Sequence, residues 1–235
     1  MKIGLLSYRS HPYSGGQGIY IRHLSKALSK LGHDVSVISG QPYPELDDSI
    51  NLIKLPGLGL FESGDRLSAF RVSFFWNLLN FYEWFTVITG GFPEPYTYGQ
   101  RVYRLLERTN FNFDVLLDNQ SLSSALPKIQ KKFPLAVTIH HPITKDHKLE
   151  LENAQNWKEK LSSYRWHNFL PMQKRVAPKL RNIICVSQPS KEDVISEFKV
   201  KEENVTVIPN GIDIETFKPL SDSKTLGYKI VTTAS

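Results

Sequence analysis

Short apolar runs alternate along this chain with stretches of helical spacing, which predicts a parallel sheet covered by helices on both faces. Residues 2–8 form an apolar run suited to a central strand, and a glycine-rich loop at 14–18 follows. Over 19–31 the apolar positions recur at helical intervals, with Ile21, Leu24, Ala27, Leu28 and Leu31 on one face. Gly32 is placed to end that helix. Residues 34–39 predict the second strand and 50–55 a third.

Further along, 56–64 reads as a loop, 66–88 as an aromatic-rich helix, 90–95 as a break and 98–108 as a helix. Strands are predicted at 113–118, 135–140, 182–187 and 205–208, with helices at 122–132 and over much of 146–176. Ser190, Lys191, Glu192 and Asp193 read as a capping box that opens a helix running to Phe198. Pro209-Asn210-Gly211 turns the chain after the last of these strands. Residues 215–224 read as a linker and 228–233 as a new strand with no helix after it. The expected division is therefore one Rossmann-like domain over 1–213, then a linker and the first strand of a second domain over 214–235.

Composition narrows the class without naming a function. A chain of 235 residues, 40% hydrophobic and 22% charged, can build one large α/β core. Its one cysteine cannot form an internal disulfide, and the N-terminus turns polar too soon for a secretory signal. The expected location is the cytoplasm. A net charge of +6 permits an anionic partner and selects none. The aromatic stretch 70–92 is interrupted by Arg71, Asn77, Asn80 and Glu83, so it is no membrane span. Core packing is the preferred reading of it; an interfacial helix, in peripheral contact with the inner membrane face, or a wall for a lipid acceptor is the alternative. Lys174, Arg175, Lys179 and Arg181 lie in a basic stretch diluted by Glu150, Glu152 and Glu159, which reads as a solvated face.

Candidate chemistry gathers where the predicted strands end. Gly15, Gly16 and Gln17 lie between the first strand and the first helix, where free backbone N–H groups and the helix dipole suit a phosphate. A dinucleotide fingerprint is incomplete there: Ile21 stands where a small residue is needed, and the second strand ends in Ser39-Gly40 with no acid for a ribose. No Gly-Lys-Ser/Thr follows the glycines, which excludes a P-loop. Asp118, Asn119 and Gln120 end one strand, and either meet a ligand or cap the next helix. His140 and His141 end another. Ser187 is either a site edge or a lead into its helix. The spacing of His140, His141 and His147 fits no common zinc pattern, so no metal is expected.

Residues 207–219 read VIPNGIDIETFKP. Together with the Gly15-Gly16 loop and the Cys185-Val186-Ser187 strand end, this segment resembles the N-terminal domain of family 4 retaining glycosyltransferases of GT-B fold. The resemblance covers essentially the whole chain. It implies an α/β fold, a Rossmann-like parallel sheet with helices on both faces, forming the N-terminal half of GT-B. It implies transfer of a sugar from a nucleotide-sugar donor to a hydroxyl of a carbohydrate or lipid-linked acceptor, with no cofactor; nucleic acid is not expected as a partner, since the sequence carries no recognition module for it. By that likeness Gly15, Gly16 and Gln17 meet the donor phosphate and His140 is the catalytic-site residue near the sugar. Asp118, Asn119, His141 and Ser187 edge the acceptor site, and Asn210, Gly211 and Asp213 mark the domain junction. The family's main donor-binding residues belong to the other domain, so the chain alone is expected to be inactive. Two alternatives are an acceptor-binding subunit that needs a separate donor-binding partner, and an NAD-dependent oxidoreductase.

Overall fold

The structure, a computed structural model, describes residues 1–62, 65–214 and 216–218. The expected strand at 228–233 lies outside the described residues, as does most of the expected linker at 215–224. Seven strands form one sheet: β1 Lys2–Ser7, β2 Asp34–Ser39, β3 Asn51–Lys54, β4 Val115–Asn119, β5 Leu135–Ile139, β6 Ile183–Cys185 and β7 Val205–Val207. Every neighbouring pair is parallel and the order is β3-β2-β1-β4-β5-β6-β7. The chain thus winds outward from β1 to β3, then crosses back to lay β4 on the other side of β1. Such a reversal opens a crevice at the carboxyl ends of β1 and β4, where open α/β sheets bind ligands.

The strands alternate between two cores. Ile3 and Leu5 of β1, with Val35 and Val37 of β2, pack on Ile21 from helix α1, Gly16–Lys30. Leu6 and Ile38 face the other way, onto Tyr98, Val102 and Leu106 of helix α3, Glu94–Arg108. Both layers are nearly sealed: Leu5 and Ile21 on one side and Ile38 and Leu116 on the other are 0% exposed. The predicted apolar face of α1 is rotated in part. Leu31 is exposed, because Gly32 at φ 83 turns the chain away just beyond it.

Several predicted helices are shorter than their apolar patterns. The 66–88 stretch is a 3-10 turn, Val72–Trp76, followed by α2, Leu78–Ile88, with Asn77 between them. The Asn77 side chain accepts from Asn80 N and starts a new helix there. Helix α3 begins at Glu94 and not at Tyr98, since Pro95 fits a first turn that has no N–H partner to lose. The helix predicted at 122–132 shrinks to α4, Leu126–Ile129, because Gln120 and Leu122 hold positive φ in the preceding turn. The 146–176 stretch is three helices, α5 Thr144–Asn153, α6 Trp157–Trp166 and α7 Leu170–Val176. Asn156 caps the second and Pro171 opens the third. The capping-box reading is corrected as well. Helix α8, Gln188–Phe198, starts earlier, capped by Ser187 through a 3.2 Å bond from Ser190 N. The Ser190 hydroxyl instead donates to the His140 carbonyl at 2.6 Å.

Candidate functional site

The β1–β4 crevice brings the glycine loop and the His140 strand end to one edge of the sheet. Gly15 sits at φ 75 just before α1, and no side chain caps that helix or adds an acid to its first turn. The three glycines differ in what they do. A Cβ on Gly16 would meet nothing within 4 Å, whereas one on Gly18 would lie 2.1 Å from the His11 carbonyl oxygen. Gly15 therefore serves backbone conformation, Gly18 close packing, and Gly16 leaves the helix end open. An uncapped helix start beside open backbone suits an anion. Gln17 points inward, its amide donating to the Tyr8 hydroxyl at 3.0 Å. Burial holds the Tyr8 phenol protonated, its pKa pushed up to about 12.

His140 is fixed on every side. Its Nε2 lies 2.8 Å from Asn119 Oδ1 and its backbone N–H donates to Gln120 Oε1 at 2.7 Å. The Gln120 amide in turn donates to the His141 carbonyl at 2.8 Å, so one side chain clamps two consecutive peptides. Tyr20, on α1, packs edge-on against the imidazole with ring centroids 4.7 Å apart. Burial and the neighbouring His141 lower the His140 pKa, which keeps the ring neutral near pH 7. With Asn119 Oδ1 as acceptor, Nε2 carries the proton and Nδ1 keeps its lone pair. The other end of the Asn119 amide, Nδ2, is buried and has no partner among the described residues.

The remaining predicted residues are placed as follows. Asp118 is 0% exposed and accepts from Ser121 Oγ at 2.6 Å and Ser121 N at 2.8 Å. It thus holds the turn that aims Asn119 and Gln120; burial raises its carboxyl to about 6 against the pull of those bonds. Ser187 caps α8. His141 is exposed beside Asp146, with Nε2 at 3.2 Å from Oδ2. Asn210, Gly211 and Asp213 line a groove of about 420 Å³ against α1, shared with Gly16, Tyr20 and His23. The 210–213 segment and Gly16 therefore face one space, and Tyr20 stands between that space and His140. His147 stacks on His167 with centroids 4.5 Å apart. Among the described residues no group of three or more His, Cys, Asp or Glu is placed to hold a metal.

Some of the site escaped the sequence reading. Arg9, just past β1, pairs with Glu94 at 3.1 Å and with Glu62 at 2.8 Å. Burial lifts Glu94 to about 7, opposed by Arg9. The only sequence signal was position: Arg9 follows a strand and Glu94 opens a helix. Tyr20 could have been found from its spacing, one turn after Gly16 on the same face of α1. Against a dinucleotide site, Ile21 fills the core where a glycine would be needed, and β2 ends on Ser39, whose hydroxyl donates to Gly40 O at 2.8 Å.

The model of Glycosyltransferase Family 4 matches residues 14–216. An MMP alpha-(1->4)-mannosyltransferase of Mycolicibacterium hassiacum is 45% identical over 221 residues, covering 93% of this chain and 54% of that protein. A UDP-Gal:alpha-D-GlcNAc-diphosphoundecaprenol alpha-1,3-galactosyltransferase of Escherichia coli is 26% identical over 130 residues, covering 55% of this chain and 31% of that protein. The crystal structure of TcCGT1 in complex with UDP superposes with a TM-score of 0.51 at 12% identity, over 94% of this chain and 53% of that one. The chain spans about half the length of the mannosyltransferase it matches. The fold is that of the Rossmann-like half of GT-B enzymes. Matched by the family model over most of its length, and by a relative at 45% identity, the chain belongs to glycosyltransferase family 4.

Proposed function

We propose that residues 1–213 form the acceptor-side domain of a retaining hexosyltransferase, and that the main donor-binding residues lie in a second domain beginning near 214. The observation that carries this reading is the shared edge: an uncapped helix start at Gly15-Gly16 beside a neutral, clamped His140. The name of the M. hassiacum relative supports a mannosyl group as the one transferred. The UDP of the TcCGT1 complex supports a nucleoside diphosphate leaving group.

In this mechanism the acceptor oxygen bonds the anomeric carbon as the bond from that carbon to the diphosphate oxygen breaks on the same face. The acceptor's proton passes to the departing diphosphate, so no protein nucleophile is needed. The α1 N–H groups offset the charge growing on the diphosphate, and Gly16 lets the backbone approach it. Gln17 supports this loop through Tyr8. The Nδ1 lone pair of His140 takes a hydroxyl of the transferred sugar, while Asn119 and His141 edge the acceptor side. Asn210, Gly211 and Asp213 form the hinge to the donor domain. The partners are a nucleotide sugar, a carbohydrate or lipid-linked acceptor and, at the cytoplasmic face, a membrane surface. Among the described residues no helix is long and apolar enough to cross a membrane.

The test is an assay of GDP- and UDP-hexoses with mannoside acceptors, on this chain and on a form extended by a donor domain of the relatives' length. We expect no transfer by the 235 residues alone and an α-linked product from the extended form. His140→Ala should lower kcat by roughly a hundredfold. A β-linked product would overturn retention, and turnover by the chain alone would overturn the division of labour.

A further inference from the structure

Helix α2 carries apolar side chains on its outward face as well as on its buried one. Its buried positions include Glu83 and Thr86, and Glu83 pairs there with Arg101 at 2.6 Å. The opposite stripe, Leu78, Tyr82 and Phe85, is apolar and is 74%, 41% and 49% exposed. The 3-10 turn before it adds Val72, Phe75 and Trp76, the last 83% exposed. These rings are continuous: Phe75 stacks on Phe81, and Phe81 on Phe85. The core reading of the aromatic stretch therefore holds for Phe74 and Leu79 and fails for the outer ring face. A contiguous exposed apolar face of this kind marks a contact surface.

A second observation says what covers it. Tyr82 also lines a groove of about 500 Å³ with Tyr96, Lys128, Arg175 and Lys179, and no carboxylate lines it. Neighbouring Lys132 and Lys174 have acidic partners, Glu107 and Glu197, but these three have none among the described residues. Arg66 and Arg71, which precede the rings in sequence, are exposed as well. A self-complementary contact between two copies would set these cations against each other. An anionic lipid surface meets both features, since aromatic side chains enter the headgroup layer and basic ones hold lipid phosphates.

We propose that this edge docks on an anionic bilayer, with Phe75, Trp76 and Leu78 entering the headgroup layer and Lys128, Arg175 and Lys179 holding phosphates. This identifies the surface and the lipid charge behind the membrane contact proposed above; it does not depend on the transfer reaction. The test is co-sedimentation of the 235-residue chain with phosphatidylglycerol or phosphatidylcholine vesicles, without donor or acceptor. Binding is expected to phosphatidylglycerol alone and to weaken with salt. Trp76→Ser with Leu78→Ser should weaken it at least about tenfold, and Lys128→Gln, Arg175→Gln and Lys179→Gln together about fivefold per charge. All five side chains are at the surface, and thermal melts check that the variants stay folded. Brominated lipid should quench tryptophan emission in the wild type. Absent binding, binding untouched by both variants, or a concentration-dependent dimer lost in Trp76→Ser would each overturn the proposal. Transfer to a soluble acceptor, measured without vesicles, fails or succeeds independently of these outcomes.

Discussion

At the residue scale, the glycines of the β1–α1 loop differ in what a side chain there would meet. Gly16→Ala meets open space and should change stability by less than about 0.5 kcal/mol in a urea titration. Gly18→Ala drives a methyl into the His11 carbonyl and should cost roughly 3 kcal/mol or more. Equal losses at the two positions would refute the division. Glu94 carries a pH signature. Burial raises its pKa from 4.5 to about 7, so in that window the folded chain holds a proton that the unfolded chain has lost. Its contribution therefore weakens stability as pH rises from about 4.5 to 7. Asp118, raised to about 6, acts in the same direction, whereas the lowered His140 opposes both. The comparison that isolates Glu94 is wild type against Glu94→Gln across about pH 5 to 8, in which the variant should show the flatter profile.

At the scale of elements, patterns were legible where the spacing was regular and blurred where a side chain intervened. The strands at β1, β2, β4 and β5 followed from short apolar runs, because a strand buried on both faces needs little else. The 66–88 and 146–176 helices were overextended, because Asn77 and Asn156 restart them through side-chain bonds to the backbone, whereas α8 starts earlier than its pattern implies, because Ser187 caps it. Those residues were in plain view, but whether an Asn or Ser caps or merely interrupts depends on the direction of the next helix. Helix α2 hides a second lesson: Glu83 reads as a surface residue, yet it accepts from Leu58 N at 2.8 Å and pairs with Arg101. Glu83→Ala strands that guanidinium and amide and should cost about 3–5 kcal/mol, measured by chemical denaturation. A loss below about 1 kcal/mol would mean that water replaces the carboxylate readily.

At the scale of the whole molecule, the proposed function makes residues 1–213 one wall of a phosphate site. Titration with UDP or pyrophosphate should move the backbone amide resonances of Gly15 and Gly16, with affinity no tighter than roughly millimolar. Micromolar binding by the isolated chain would show that the second wall is dispensable. The sequence by itself determined the α/β class, the glycine loop, the family motif at 207–219 and the strand ends bearing Asn119 and His140, since these follow from local periodicity and local motif. Only the tertiary structure decided that β4 returns beside β1. That return, with β5 laid beside β4 and α3 packed against β1, sets Asn119 against His140, Tyr20 against the same ring and Arg9 against Glu94, across sequence separations of 21, 120 and 85 residues. It also decided which face of α2 is left to the outside. Strand order and helix rotation minimise exposed area over the whole chain, and a linear pattern carries no term for contacts between elements that meet only once the sheet has formed.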